Sequence, residues 1–291
     1  MTASVEDLAL PLPAIAYGSE EHKELFCRTF IETHDPFEVE KIAWPDLDDS
    51  AVQRLRSMPF WQEAISTEAD VARKVQALAP YERDPLLHEA IAMNGFEEGR
   101  HSRMLDHMLA HYGIERPPVR EEALSDDPLW DFMRVGYGEC FDSFFAFGLF
   151  RLAGESGLFP TALLRCVEPI MREEARHILF FVNWIAYCRA QQPGPRKLLH
   201  MGHCGLALAM QVWGRVKTAI AAARGGGDGG ATNEDDFMLG VKDSLDVVSS
   251  PRQFLQVCLH ENDLRLAPYD PRLLRPNFVP RIARTLARVV P

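Results

Sequence analysis

Four long segments of this 291-residue chain have helical periodicity, and each carries one glutamate inside an otherwise apolar stripe. The four glutamates are Glu68, Glu98, Glu139 and Glu174. Helical spacing collects the apolar residues on one face, which a globular protein buries, whereas charged side chains normally lie on the opposite face. An ionised carboxylate is costly to bury unless it is paired or binds a metal. The pattern therefore predicts a helical bundle with a cluster of acidic side chains in its interior.

The second and fourth of these segments share a five-residue string with the form Glu-Glu-small-Arg-His. The two copies are Glu97-Glu98-Gly99-Arg100-His101 and Glu173-Glu174-Ala175-Arg176-His177. The second glutamate and the histidine of each copy lie one helical turn apart on one face, so they can reach the same metal ion. The composition predicts roughly one Glu-x-x-His pattern by chance, so the pattern alone decides little. Its location in the apolar stripe of a long helix, twice, favours a metal site.

Turn residues divide the rest of the chain into further helices. We expect a short helix at 20–32, four bundle helices at 50–79, 84–112, 128–154 and 159–191, and later helices at 197–224, 233–247, 251–266 and 278–290. Strand signals are nearly absent, so the predicted fold class is all-α: a ferritin-like four-helix bundle with additional C-terminal helices. We divide the chain into an irregular N-terminal arm, 1–49, and one helical domain, 50–291. Its metal-binding core spans about 60–190 and its accessory helices span 197–290.

The spacing of the four glutamates fits two antiparallel hairpins. Glu68 precedes Glu98 by 30 residues, and Glu139 precedes Glu174 by 35 residues. Either distance takes the chain down one helix, through a turn and half a helix back, to the same height. Glu63 is the rival to Glu68, but it shares a face with polar residues. All four carboxylates are therefore expected at one level of the bundle.

Charge and cysteine use exclude several classes of protein. The net charge of −11 argues against a nucleic-acid partner, because phosphate binding requires concentrated Lys and Arg. No apolar run approaches the ~20 residues of a membrane span, and the acidic N-terminus has no signal segment. The six cysteines are scattered, which indicates a reducing compartment, so we expect a cytoplasmic protein. The basic tail after Arg265 is expected to pack on the acidic body, with docking to an acidic partner as the alternative.

The six residues Glu68, Glu98, His101, Glu139, Glu174 and His177 resemble the ligand set of the ferritin-like di-iron carboxylate superfamily. This superfamily includes ribonucleotide reductase small subunits, bacterial multicomponent monooxygenases and acyl-carrier desaturases, and the resemblance covers roughly residues 60–185. It implies two iron ions, or a manganese–iron pair. It further implies that Glu98 and Glu174 bridge the metals, that Glu68 and Glu139 are terminal ligands, and that each histidine binds one metal. The repeated string is most similar to the desaturase form of the motif.

Three further acidic residues are candidates to support the ligands. Glu97 and Glu173 lie four residues before a histidine ligand, and Asp142 lies one turn beyond Glu139. Each could accept a hydrogen bond from the site, since metal-bound histidines commonly donate to a carboxylate. The alternative for all three is a solvated side chain.

Departures from individual subfamilies leave the subfamily unassigned. Leu105 stands where the radical-type reductases have a tyrosine, and Ile170 stands where arylamine oxygenases have a third histidine. Arg134 and Asp70 occupy the positions of the tyrosine–valine crosslink of ligand-binding oxidases. On helix 197–224, His200 and His203 lie one turn apart next to Cys204, but nothing nearby completes a zinc site.

The favoured function is an O2-dependent di-iron oxidase or monooxygenase that oxidises an organic, small-molecule or lipid-like substrate, with an electron donor protein as partner. Homodimerisation is compatible with the sequence. The alternative is a ferritin-like metalloprotein without oxygenase activity, such as a ferroxidase, an iron-handling or peroxide-removing protein, or a ligand-binding oxidase. A third hypothesis is a bundle whose glutamates and histidines satisfy one another without metal.

Overall fold

The computed structural model describes residues 13–58, 61–116, 118–119, 121–223 and 250–290. Within these ranges the chain forms nine α-helices and no strand. The helices are α1 Glu20–Glu32, α2 Asp49–Ser57, α3 Trp61–Leu78, α4 Pro85–His111, α5 Pro128–Ser156, α6 Thr161–Gln191, α7 Gly194–Ala223, α8 Pro251–Leu266 and α9 Phe278–Leu286. The all-α fold class is therefore confirmed.

The helix bounds differ from the sequence prediction mainly at one point. The predicted helix 50–79 is wrong, because two helices, α2 and α3, occupy that range. The chain is extended at Met58, with a ψ of 123°. Pro59 follows, and a proline disfavours helical backbone in the residue before it. The predicted helix 233–247 lies outside the described residues.

Three helices begin with the same local signal, a capping residue followed by proline. Asp84, Asp127 and Ser250 each accept a backbone N–H of the first turn, and Pro85, Pro128 and Pro251 follow them directly. A capping oxygen satisfies one of the N–H groups that a helix start leaves free, and proline at the first position has no N–H to satisfy. These signals set the starts of α4, α5 and α8.

The helices α3, α4, α5 and α6 form the bundle core. α3 packs along α4, α5 packs along α6, and the two pairs meet through α3 with α5 and α4 with α6. Two glycines allow close approach: a Cβ at Gly95 would lie 2.7 Å from Gln76 of α3, and a Cβ at Gly136 would lie 2.2 Å from the Phe181 ring of α6. The four predicted metal-binding helices therefore enclose one common interior.

The remaining helices cover the bundle from outside. α1 packs on α4 and α6, α7 packs on α5 and α6, α8 packs mainly on α5, and α9 packs on α8 and α5. The basic tail is paired within the chain at several points, since Arg265 donates to both Glu168 oxygens at 3.0 and 3.2 Å and Arg272 pairs with Asp270. The division at residue 49 stays a prediction. Among the described residues, no helix is both long and apolar enough to cross a bilayer.

Candidate metal centre

Each bundle helix delivers its predicted glutamate to the same region of the interior. Donor atoms of Glu98, His101, Glu174 and His177 lie within 4.8 Å of one another, and these side chains are buried. Glu68 of α3 joins them, because its Oε2 lies 3.3 Å from His101 Nδ1. Glu139 of α5 borders one small cavity together with Glu98 and His177, and a larger one together with Glu68 and Glu174. The structure thus brings all six predicted residues together.

The second glutamates of the two repeated strings, Glu98 and Glu174, lie between the two imidazoles. Glu98 Oε1 is 2.8 Å from His177 Nδ1, and its Oε2 is 3.7 Å from His101 Nδ1. Glu174 Oε1 is 3.2 Å from His101 Nδ1 and 3.8 Å from His177 Nδ1. Both histidines therefore direct Nδ1 into the cluster, and each carboxylate is close to both of these nitrogens.

The outer nitrogens of the histidines bind carboxylates across the bundle. His101 Nε2 on α4 donates to Glu173 Oε2 on α6 at 2.9 Å, and His177 Nε2 on α6 donates to Glu97 Oε2 on α4 at 2.9 Å. The sequence placed Glu97 and Glu173 four residues before their own histidines. In the structure each of them instead bonds to the histidine of the other helix. Both carboxylates are buried, so the alternative of a solvated side chain is wrong for Glu97 and Glu173.

The arginines of the repeated strings complete this crossed arrangement. Arg176 Nη1 donates to the two oxygens of Glu97 at 3.0 and 3.1 Å, and Arg100 donates to Glu173. In each Glu-Glu-x-Arg-His string the first glutamate and the arginine bind the opposite helix, and the second glutamate faces the cluster. The histidine does both, since its Nδ1 faces the cluster and its Nε2 bonds to the opposite helix. This exchange explains why the whole string is repeated.

The N-terminal arm contributes contacts that the sequence analysis missed. His34 Nδ1 bonds to Glu97 Oε1, Arg176 donates to the carbonyl oxygen of Phe30, and Arg100 donates to the carbonyl oxygens of Asp35 and Phe37. No pattern in the sequence joins this arm to helices more than 60 residues away. His34, Glu97 and Glu173 also form a compact group of donor atoms. The guanidinium groups of Arg100 and Arg176 already supply its positive charge, so a metal ion is not needed there.

Several donor atoms of the central cluster have no hydrogen bond. Within the described part of the chain, Glu98 Oε2, Glu174 Oε1 and His177 Nδ1 are buried and make no hydrogen bond; the 2.8 Å contact of His177 Nδ1 with Glu98 Oε1 lacks hydrogen-bond geometry. A buried acceptor without a partner costs about 1–3 kcal/mol, and more if it is charged. These unsatisfied atoms face one another across the cluster, as the ligands of a bound cation would. The residues present therefore fit a metal centre.

Protons balance the buried charge when no metal is bound. Burial acts to lower the pKa of His177, but the charge of Glu98 and the contact with Glu97 outweigh burial and raise the pKa to about 10. Burial raises the pKa of Glu68 to about 8, although the charge of His101 opposes this shift. Burial, with the charge of Glu174, raises the pKa of Glu139 well above its usual range. Divalent cations would replace these protons, because metal ligands must be deprotonated.

Asp142 has a different partner from the one expected. Its carboxylate forms an ion pair with Arg215 of α7, and one third of its side chain is exposed. Arg215 also stacks over the Phe141 ring at 4.5 Å. Asp142 acts on the site through its charge, which contributes to the raised pKa of Glu139. It also lines the larger cavity.

An apolar cavity of about 260 Å³ adjoins the cluster. Its polar lining comprises the three ligand candidates Glu68, Glu139 and Glu174, together with Thr67, Asp142 and Ser143. The rest of the wall is apolar and includes Leu55, Met58, Trp61, Leu105, Met108, Leu149, Phe150, Phe159, Leu163, Ile170 and Met171. A cavity of this size holds an organic molecule larger than benzene, for which about 150 Å³ is sufficient.

No protein-family model, curated protein or solved structure matches this chain. The fold and the site alone define its class: an all-α protein with a buried glutamate–histidine cluster that is compatible with a dinuclear metal centre.

Proposed function

We propose that this protein is a dinuclear iron oxidoreductase of the ferritin-like di-iron carboxylate superfamily, which uses O2 to oxidise an apolar organic substrate. One observation carries the proposal: Glu174, whose Oε1 makes no hydrogen bond, lies near Nδ1 of both histidines and also lines the apolar cavity. A metal site used only for structure has no need of an adjacent cavity.

The positions of the donor atoms support the ligand roles that the resemblance implies. His101 and His177 would each bind one iron through Nδ1. Glu98 and Glu174 would bridge the ions, since each carboxylate lies near both nitrogens. Glu68 and Glu139, from α3 and α5, would bind as terminal ligands. Carboxylates with imidazoles are the donors that non-haem iron prefers, and a manganese–iron pair would suit the same set.

The bound irons would supply the electrons and the coordination positions that O2 reduction requires. The chain positions the ligands: Glu97 and Glu173 hold the protons on the outer nitrogens of the histidines, which fixes the ring orientation. Ser143 Oγ donates to Glu174 Oε2 at 2.9 Å and so leaves Oε1 directed at the cluster. The apolar wall would hold an apolar substrate beside Glu68, Glu139 and Glu174.

Iron loading tests the metal centre. The purified protein is incubated anaerobically with Fe(II), and bound iron is counted after removal of the excess. We expect two irons per chain, and the loss of this stoichiometry in Glu98→Ala and Glu174→Ala. The matched control is Glu89→Ala, an exposed glutamate of the same helix α4. Full occupancy of both irons in Glu98→Ala would contradict the ligand assignment.

Addition of O2 to the loaded protein separates the two functions that the sequence left open. An oxidase or oxygenase should consume O2 faster in the presence of an apolar organic compound and yield a product with added oxygen or fewer hydrogens, which mass spectrometry detects. Rapid, stoichiometric release of Fe(III) that no compound affects would instead identify an iron-handling protein.

A further inference from the structure

A second group of metal-binding side chains lies away from the carboxylate cluster, where α5 packs on α7. His200 Nε2 and Cys204 Sγ are 3.5 Å apart on α7, and Cys204 Sγ is 3.9 Å from Met133 Sδ on α5. His200 and Met133 are buried, whereas Cys204 is partly exposed and can be reached from the surface. One imidazole, one thiol and one thioether thus meet at a helix–helix contact.

The distances match those between ligands of one ion. With metal–sulfur bonds of ~2.3 Å and metal–nitrogen bonds of ~2.0 Å, neighbouring ligands at trigonal or tetrahedral angles lie roughly 3.5–4.0 Å apart. The two observed distances, 3.5 and 3.9 Å, fall within this range. A hydrogen bond from the Cys204 thiol to His200 explains the first distance. The thiol has a single proton, so it cannot donate to His200 Nε2 and to Met133 Sδ at the same time.

The charge of the surroundings favours a monovalent ion. The positive charge of Arg189 acts on both His200 and Cys204. The group itself offers a single negative charge, from the thiolate. A divalent ion would therefore remain uncompensated, whereas an ion of charge +1 is neutralised. Thiolate and thioether sulfur are soft ligands that select Cu(I).

We propose that Met133, His200 and Cys204 form a binding site for Cu(I), independent of the carboxylate cluster. Binding forms bonds from the ion to Cys204 Sγ, His200 Nε2 and Met133 Sδ. The thiol proton of Cys204 passes to solvent, and neither copper nor sulfur changes its oxidation state. In the bound form the +1 charge of the ion and the −1 charge of the Cys204 thiolate cancel. Three ligands complete the site, so no further ligand from the chain is needed.

Anaerobic competition with a coloured Cu(I) chelator, bicinchoninate, tests this site in the full-length protein. We expect the protein to withdraw one equivalent of Cu(I) from the chelator. Cys204→Ser should abolish the binding of that equivalent. Met133→Leu should lower the Cu(I) affinity by more than ~10–100-fold, which is the effect of losing a residue that only supports a metal ligand. Met133→Leu nearly conserves side-chain volume, so it should leave the fold intact. Thermal unfolding without copper checks this point.

Matched variants give the experiment its specificity. Cys166→Ser removes another partly exposed thiol, on α6, and Glu98→Ala disables the carboxylate cluster; both should bind Cu(I) as the unmodified protein does. Tight binding that persists in Cys204→Ser would overturn the proposal. Unchanged affinity in Met133→Leu would overturn it as well, because the contact would then be only a thiol–imidazole hydrogen bond. An equal loss of Cu(I) binding in Cys166→Ser and Cys204→Ser would indicate that Cu(I) binds nonspecifically to exposed thiols.

Discussion

Replacement of Glu97 by glutamine probes the crossed network that supports the metal centre. Glu97 is fully buried and binds His177 at 2.9 Å, Arg176 at 3.0 and 3.1 Å, and His34. Glutamine keeps the shape but removes the charge, so the Arg176 guanidinium, only 3% exposed, loses its principal counter-charge. Removal of one partner of a buried ion pair costs about 3–5 kcal/mol.

This loss should appear in the metal-free protein. Urea unfolding in the presence of a chelator should show a decrease of about 3–5 kcal/mol in the free energy of unfolding of Glu97→Gln. At about 2–4 °C per kcal/mol, the corresponding decrease in Tm is roughly 6–20 °C. The variant should also bind Fe(II) about 10–100-fold more weakly, because His177 Nε2 no longer donates to a carboxylate.

A double variant separates the two effects. Glu97→Gln combined with Arg176→Met removes both buried charges, so it should recover part of the stability but none of the iron affinity. Glu89→Gln, an exposed glutamate on the same helix, is the control and should change neither quantity. A stability loss below about 1 kcal/mol in Glu97→Gln would refute the argument, since the network would then not depend on this charge.

Three further predictions concern the bundle and the cavity. Gly136→Ala places a Cβ 2.2 Å from the Phe181 ring and should destabilise the protein by about 1–3 kcal/mol in urea unfolding; an unchanged midpoint would show that the α5–α6 contact adjusts freely. Ala146→Phe should fill the apolar cavity, so that a small aromatic probe such as toluene no longer raises the Tm while iron stoichiometry stays at two; retained probe stabilisation would place the probe elsewhere. Asp127→Ala removes the N-terminal cap of α5 and should cost about 1 kcal/mol, with the exposed Asp49→Ala as a comparison; an equal Tm in both variants would contradict the role of the cap.

Local patterns in the sequence were sufficient for the helices and for the candidate ligands. Helical periodicity and turn signals depend on residues within one or two turns of one another, so they predicted most helix bounds and singled out Glu68 and Glu139, which are half-buried in the structure. The same local reasoning missed the interruption at Met58, where a single proline outweighed an otherwise continuous helical pattern.

Tertiary structure decided which residues support those ligands. The sequence marked Glu97 and Glu173 as candidate acceptors, but only the packing of α4 against α6 assigned each to the histidine of the other helix. His34, Ser143 and Met133 carry no local signal, because their partners lie on other helices and hydrogen-bond geometry depends on how those helices pack. The apolar cavity beside the cluster is likewise a property of the space between helices, which spacing along one helix cannot specify.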